Sequence, residues 1–447
     1  MKNSLTKRVL KVVGVFSGAE AFGILCSVVK MKLVAIWLSA VGVGLFGIFN
    51  TTIDTISIIT GLGLRQSGVR EIAKHSNEAG VLRKVVARLR GWCFLSGLLG
   101  ALIISFLAPV LSYWFFGNMN NWWQFMLLAG ALLMNSLIGG EQAILQGTEF
   151  FKRLAKASVY GSALGLAISI PMFRWLGDIS VILSILAYYS STLFFLYINR
   201  NKSLRYELPD KEEMKMGTEF VKLGGYIALA SFASSLAQMI FMSWLNKEAS
   251  TAEVGYFQAG NTLVFRYTSI IFSAVGLEFY PRMASNSHSS KRMSLFVSHE
   301  ISLLLKIFTP MLIAFLLFRH QIVHILYASE FEVILPFISI AICTVILRAI
   351  STCMAFSIIA KGEGKTYLFT EGLDAVIGVI LSIWLYGLYG LLGIGIAQVI
   401  WYGIYLLAIS GVYFVRYKLR ISYGTWALIA VSVIISGIAA IIAVMYL

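Results

Sequence analysis

Asp54 stands in the middle of "GVGLFGIFNTTIDTISIITGLGL", residues 42–64, a stretch long enough to cross a bilayer as a helix. Asn50, Thr51, Thr52 and Thr55 lie beside it. A carboxylate at that depth costs roughly 2.5–3.5 kcal/mol on insertion scales, so it marks either a pathway through the membrane or an internal ion pair. Glu20 is a second acid placed deep in an apolar stretch, and both carboxylates are candidates for binding a coupling proton or sodium ion. Opposite in sign are Arg266, in "NTLVFRYTSII", and Arg348, in "CTVILRAIST". A guanidinium offers a bidentate fork that suits phosphate or carboxylate, so both read as anion contacts, with a structural salt bridge as the alternative. Lys306 lies one turn before Pro310 and reads as a lysine bonded to freed carbonyls or reaching to the interface.

These residues must be positioned by membrane helices. Of 447 residues, 58% are hydrophobic and only 13% charged, about half the charge of a soluble domain. Apolar stretches of crossing length fall at about 9–29, 40–64, 91–108, 122–146, 157–173, 179–199, 218–245, 256–281, 296–318, 333–358, 368–386, 391–415 and 425–447, which predicts thirteen spans and no soluble domain. The net charge of +15 does not point to nucleic acid. With the N-terminus inside, 27 of the 36 Lys and Arg fall on the cytoplasmic side and five on the outer side, Lys30 and Lys32 among the latter. The run "YWFFGNMNNWW" at 113–123 reads as an interfacial aromatic belt. The first stretch has no small-residue cleavage site and reads as an uncleaved helix.

The chain also matches itself. Shifted by 211 residues, Leu10–Ser76 aligns without gaps on Val221–Ser287 with 14 identities in 67 positions. Asn50-Thr51 falls on Asn261-Thr262 and Lys11 on Lys222, while Asp54 and Thr55 fall on Phe265 and Arg266. The blocks lie six spans apart, so both copies have the same orientation, as in transporters built from parallel repeats with a site near the midplane. The expected organisation is a six-helix lobe over 1–207, a second over 208–418, related by a pseudo-two-fold along the membrane normal, and an additional helix over 419–447. Asn50 and Asn261 either bond across helices or bind sugar hydroxyls. Lys11 and Lys222 read as an inner basic rim or as surface charges, Lys222 with Glu219. Glu141, Glu371 and Asp374 are expected to pair locally with inner-loop Lys and Arg.

Several motifs fail on inspection. "KGEGKT" at 361–366 has Ile359 where a phosphate-binding loop needs glycine, and no strand precedes it. His320 and His324 follow no metalloprotease pattern, and the four cysteines sit in apolar stretches. No arrangement for catalysis, metal or a cofactor stands out.

"SAVGVGLFGIFNTTIDTISIITGLGLRQSGVREIAKHS" with "LRKVV", and "AEVGYFQAGNTLVFRYTSIIFSAVGLEFYPRMA", resemble the repeat-related second and eighth helices of Wzx-type bacterial polysaccharide flippases. Those proteins belong to the MATE-like multidrug/oligosaccharidyl-lipid/polysaccharide exporter superfamily, and the resemblance covers about 1–418. It implies an all-α polytopic membrane protein, not an enzyme, in the bacterial inner membrane with a cytoplasmic N-terminus. The implied substrate is an undecaprenyl-diphosphate-linked oligosaccharide for O-antigen, capsule or exopolysaccharide, with a polysaccharide polymerase and a chain-length regulator as possible partners. Substrate-binding candidates are then Arg266, Arg348, Asn50, Asn261, Lys11 and Lys222, and ion-coupling candidates Asp54 and Glu20. The alternative is a cation-coupled multidrug exporter of the same superfamily, which would favour acids over arginines in its cavity. A glycan polymerase would need a large outer loop, and none is present.

Overall fold

A computed structural model describes residues 2–61, 63–75, 78–200, 225–269, 271–272 and 288–445, with 279, 283 and 286 between them. Side chains are described from residue 18 in the first helix and from residue 228 in the seventh. The described residues form helices joined by short turns, with no strand among them. The chain divides into two compact units, Met1–Ala228 and Leu229–Leu447.

Unit 1 holds α1 (Lys2–Gly61), α2 (Leu64–Lys74), α3 (Ala79–Phe116), α4 (Trp122–Gly147), α5 (Phe151–Trp175) and α6 (Ile179–Asn199). Unit 2 holds α7 (Gly225–Glu248), α8 (Thr251–Asn261) with a π-helical turn at Thr262–Arg266, α9 (Ser290–Leu317), α10 (Arg319–Leu326), α11 (Leu335–Ala341), α12 (Thr344–Ala360), α13 (Gly364–Ser410) and α14 (Tyr423–Met445). Nine described helices are long and apolar enough to cross a membrane, and ten if the bent pair Ser329–Ala341 and Thr344–Ala360 is one span.

Two of the nine carry a break that resolves them into shorter spans. Gly18–Gly61 would be about 66 Å long if straight and Gly364–Arg416 about 80 Å, against a hydrocarbon core of about 30 Å. α1 breaks at Ser39 (φ 57°, ψ −168°) and α13 at Gly390 (φ 57°, ψ −139°). In a straight helix residues eight apart are separated by about 12 Å. Here a Cβ on Gly42 would stand 3.2 Å from Val34, and one on Gly393 would strike the Leu385 carbonyl oxygen. The chain therefore folds back sharply at both points, between predicted spans 1 and 2 and between 11 and 12. Lys30 and Lys32, expected in an outer loop, are inside α1 instead, because the turn needs one serine and not a ten-residue connection. The aligned serine of the second copy, Ser250, marks the same point in unit 2: it caps α8 by accepting from the Glu253 N–H at 3.2 Å.

Small residues allow the helices to pack closely. A Cβ on Gly161 would meet the Thr192 Cα at 2.8 Å and one on Gly165 the Tyr188 Cα at 3.0 Å, so α5 and α6 touch along a small-xxx-small stripe. α14 runs parallel to α9 with a polar seam of heptad spacing: Ser302 bonds Thr425 at 2.9 Å and Thr309 bonds Ser432 at 3.0 Å. Arg319 closes that seam, donating to the Leu316 and Ala443 carbonyls at 2.7 and 2.9 Å, where helix ends leave acceptors without intrahelical donors. Large apolar side chains such as Phe106, Leu102, Leu407 and Ile441 are exposed, which is how a surface solvated by lipid is built.

Gly393→Ala is expected to lower the melting temperature in detergent sharply, because its Cβ would strike backbone; Gly403→Ala, with no atom within 4 Å, is the control. Ser39→Gly should raise it, by about 1–3 kcal/mol of stability, since glycine alone adopts that φ/ψ without strain. A Ser39→Gly variant that melts below the native protein would contradict the assigned turn.

Candidate substrate site

Unit 2 holds a cavity of about 540 Å³ lined by both polar and apolar side chains, within the range of small-molecule sites. Its walls follow from helical spacing. On the first half of α13, Tyr367, Glu371, Asp374, Gly378 and Ser382 recur every three or four residues and share one face. On the second half, Gln398, Trp401, Tyr402 and Tyr405 do the same. The turn at Gly390 lays these two faces together. Trp401 Nε1 donates to Asp374 Oδ1 at 2.6 Å, and the Tyr405 hydroxyl donates to Glu371 Oε1. A Cβ on Gly378 would lie 3.0 Å from the Trp401 ring, so the glycine makes room for the indole one turn beyond its acceptor.

α12 contributes Arg348, Ser351 and Thr352, and α7 contributes Ser234 and Gln238. The Arg348 guanidinium carbon stands 4.7 Å from the Phe272 ring centroid and 5.7 Å from that of Phe265. Phe265 stacks on Tyr402 at 5.8 Å, and Tyr402 on Trp401 at 5.2 Å, so three aromatic rings form one continuous wall. Asn261, at the junction of α8 with its π-helical turn, accepts from Gln398 Nε2 at 3.5 Å. Such π-turns recur at functional sites because the extra residue re-aims side chains. The cavity thus combines one cation, two carboxylates already held by neutral donors, three amides and an aromatic wall. That set can hold a polar, partly anionic molecule with apolar faces.

The predicted residues are distributed unevenly around this cavity. Arg348 and Asn261 line it, as does Gln238. Arg266 ends the π-helical turn and is exposed, outside the lining. Asp54 and Glu20 are exposed on α1 in unit 1. Asn50 spends its amide within its own helix, donating to the Phe46 carbonyl at 2.7 Å. The Lys11 side chain and the whole of Lys222 lie outside the described residues. Lys306 is exposed on α9.

The expectation for Glu371 and Asp374 is corrected: they are bonded by Tyr405 and Trp401 and face the cavity with Arg348, not the inner-loop lysines and arginines. Glu141 does meet a basic partner, accepting from Arg90 Nε and Nη2 at 2.6 and 3.1 Å, with Arg90 4% exposed. The glutamate of "KGEGKT" is taken by Arg416 at 2.8 Å and by the Thr366 hydroxyl, as befits a helix start and not a phosphate loop. Missing from the sequence reading were Gln398, Trp401, Tyr402 and Tyr405. Their i, i+3, i+4, i+7 recurrence in "AQVIWYGIY" was the available signal. Lys30 was also missed as a buried group: its ammonium donates to the Ser184 carbonyl at 3.3 Å and lies 4.6 Å from the Phe46 ring centroid. Among the described residues no group of His, Cys, Asp and Glu has the arrangement of a metal site.

A family model described as "Polysaccharide biosynthesis protein" matches residues 33–336. The chain belongs to that family. Lipid III flippases of Escherichia coli (strain K12) and Shigella flexneri are each 20% identical to this chain over 392 residues, which span 86% of it and 92% of the relative. Among solved structures, an inward-facing multidrug resistance MATE family transporter superposes with a TM-score of 0.70 at 16% identity, covering 91% of this chain and 95% of that one. The lipid II flippase MurJ, in an inward closed conformation, superposes at 0.67 with 14% identity, covering 96% and 97%. The fold is therefore that of the MATE-like and MurJ-like polytopic membrane proteins.

Removing one partner of the Arg90–Glu141 pair leaves a buried charge uncompensated. Glu141→Leu is expected to cost about 3–5 kcal/mol in thermal or denaturant unfolding, while the double change Arg90→Met with Glu141→Leu should recover most of that loss. Equal melting of the single variant and the native chain would show that the pair contributes nothing.

Proposed function

We propose that this protein flips undecaprenyl-diphosphate-linked oligosaccharide repeat units from the inner to the outer leaflet of the bacterial cytoplasmic membrane, for O-antigen, capsule or exopolysaccharide assembly. The observation that carries this reading is the unit 2 cavity, where an arginine, amides and stacked rings meet among membrane-spanning helices. A lipid-linked saccharide needs such a place for its headgroup, while its prenyl tail remains in hydrocarbon. The similarity to lipid III flippases over most of both chains supports the same class.

In this reading the diphosphate is held by Arg348 and Arg266 through paired, charge-assisted hydrogen bonds. Lys11 and Lys222 form a basic inner rim that admits it, with the N-terminus cytoplasmic. Asn261 and Asn50 address the glycan. Transport is coupled to an ion gradient through carboxylates, Asp54 and Glu20 in unit 1 and Glu371 and Asp374 in unit 2. The product is then passed to a polymerase with its chain-length regulator.

A second reading, a cation-coupled multidrug exporter, is favoured by one observation: the cavity holds two carboxylates against one arginine. Leaflet protection of an undecaprenyl-diphosphate oligosaccharide in proteoliposomes, with cationic dye flux in parallel, separates the two. Arg266→Ala and Arg348→Ala are each expected to lower flipping at least about tenfold, the loss of one hydrogen-bonded charge contact of about 1.5–3 kcal/mol. Native flux in both variants would overturn the anion assignment, and dye export without flipping would establish the exporter.

A further inference from the structure

Lys30 is 9% exposed and belongs to none of the contacts assigned to the substrate. Its ammonium has three donors. One reaches the carbonyl of Ser184, a fully buried residue of α6, and the Phe46 ring centroid lies 4.6 Å away. Among the described residues these are its partners, and neither is an acid. The elements packed around it supply no counter-charge. α6 has no charged residue between Asp178 and Arg200, and α5 has none between Lys156 and Arg174. α3 and α4 have none beyond Arg90 and Glu141, which bind each other. The second half of α1 has Asp54 alone, about 12 Å along the helix from Phe46, and Glu20 lies about 15 Å from Lys30 on the first half. Lys32, two residues on, points to a different face. The uncharged titratable groups close by in helical position are Cys26, one turn before Lys30, and Tyr188, one turn after Ser184.

At the offset of 211 residues Lys30 falls on Phe241 and Phe46 on Phe257. Those two rings meet edge to face at 5.1 Å and line the unit 2 cavity with Asn261, the counterpart of Asn50. The same two helical positions are therefore in contact in both units, and unit 1 has an amine where unit 2 has a ring. A ring at this place is a permanent wall, whereas an amine can gain and lose a charge. Charged, it is drawn both to the Phe46 ring and to the Ser184 carbonyl, and it ties the two halves of α1 to α6. Neutral, it keeps a weaker hydrogen bond and loses its attraction to the ring, so the α1 hairpin is held less tightly. A buried ionisable group with this arrangement marks an ion pathway more often than a frame contact.

We infer that Lys30 carries the coupling proton of unit 1. In each cycle its amine takes one proton from water on one side of the membrane, becoming the ammonium, and releases it to water on the other. This rests on the flippase reading and names its ion, because a carboxylate such as Asp54 takes a proton or a sodium ion, whereas an ammonium gives up only a proton.

The test uses the full chain in proteoliposomes and reads the steady-state distribution of an undecaprenyl-diphosphate oligosaccharide between the leaflets. A difference of about one pH unit across the membrane should shift that distribution about tenfold, the worth of one proton per cycle. A sodium gradient of the same size should leave it unchanged. Lys30→Met and Lys30→Arg, which fix the site as neutral or charged, should abolish the shift. A second measurement needs no transport. In protein labelled with carbon-13 at the lysine ε-carbons, one resonance should move with pH across the assay range and be missing from Lys30→Arg. Should neither variant fold, as read by melting, Phe46→Leu should displace that resonance by removing the ring. A sodium-driven shift, a pH-driven shift intact in both variants, a Lys30 resonance that stays still with pH, or a spectrum unchanged in Phe46→Leu would overturn the inference. Native flipping without a pH-driven shift would overturn it alone. A titrating Lys30 with proton-driven dye export and no flipping would keep the site and overturn the flippase reading.

Discussion

Hydrocarbon offers no partner to a polar group, and several charged side chains buried among the described helices are held by another part of the chain. Arg90 is taken bidentately by Glu141. The Lys30 ammonium reaches the Ser184 carbonyl and an aromatic ring. Arg319 meets carbonyls at the ends of two parallel helices. Glu371 and Asp374 are received by a phenol and an indole and not by a cation. The difference between these solutions matters. A full ion pair is satisfied and locks its helices, whereas a carboxylate bonded by one neutral donor keeps accepting capacity and charge for something else. The buried Arg90–Glu141 pair is of the first kind, and the carboxylates of the unit 2 cavity are of the second.

Much of the frame was legible in the sequence because the membrane imposes a coarse and unforgiving pattern. Spans about 20 residues long, parted by polar or glycine-containing turns, could be counted without knowing any contact. Ser39 and Ser250 are aligned at the offset of 211 residues, and the structure places both where one helix gives way to the next. What the pattern could not reveal was how tight those turns are. Hydropathy falls at Lys30 and Lys32 and so implied a loop, but the backbone turns at Ser39 while both lysines remain helical. Charge marks where a polar group stands, not whether it leaves the membrane or finds a carbonyl within it.

The site was less legible, for a physical reason. Asp54, Arg266 and Arg348 attract notice because each is an isolated charge in an apolar run. Gln398, Trp401 and Tyr405 do not, since aromatic and amide residues are ordinary in membrane helices, and only the hairpin at Gly390 shows that they oppose Glu371 and Asp374. Those acids looked like surface residues because inner-loop cations are close in sequence. Their actual partners lie 34 and 27 residues away. Periodicity finds the face that a residue occupies; it does not find the face across the turn.

The two asparagines aligned by the repeat do not take the same role. Asn50 and Asn261 descend to identical positions in the two copies, yet their surroundings differ. In unit 1 the helix continues regularly and the Asn50 amide folds back one turn onto the Phe46 carbonyl, the usual fate of an asparagine in an apolar helix. In unit 2 the helix loosens into a π-turn at Thr262, directly after Asn261, and Gln398 arrives from the second half of α13 to take its oxygen. One inserted irregularity and one incoming amide therefore convert a residue that serves its own helix into one that faces a cavity.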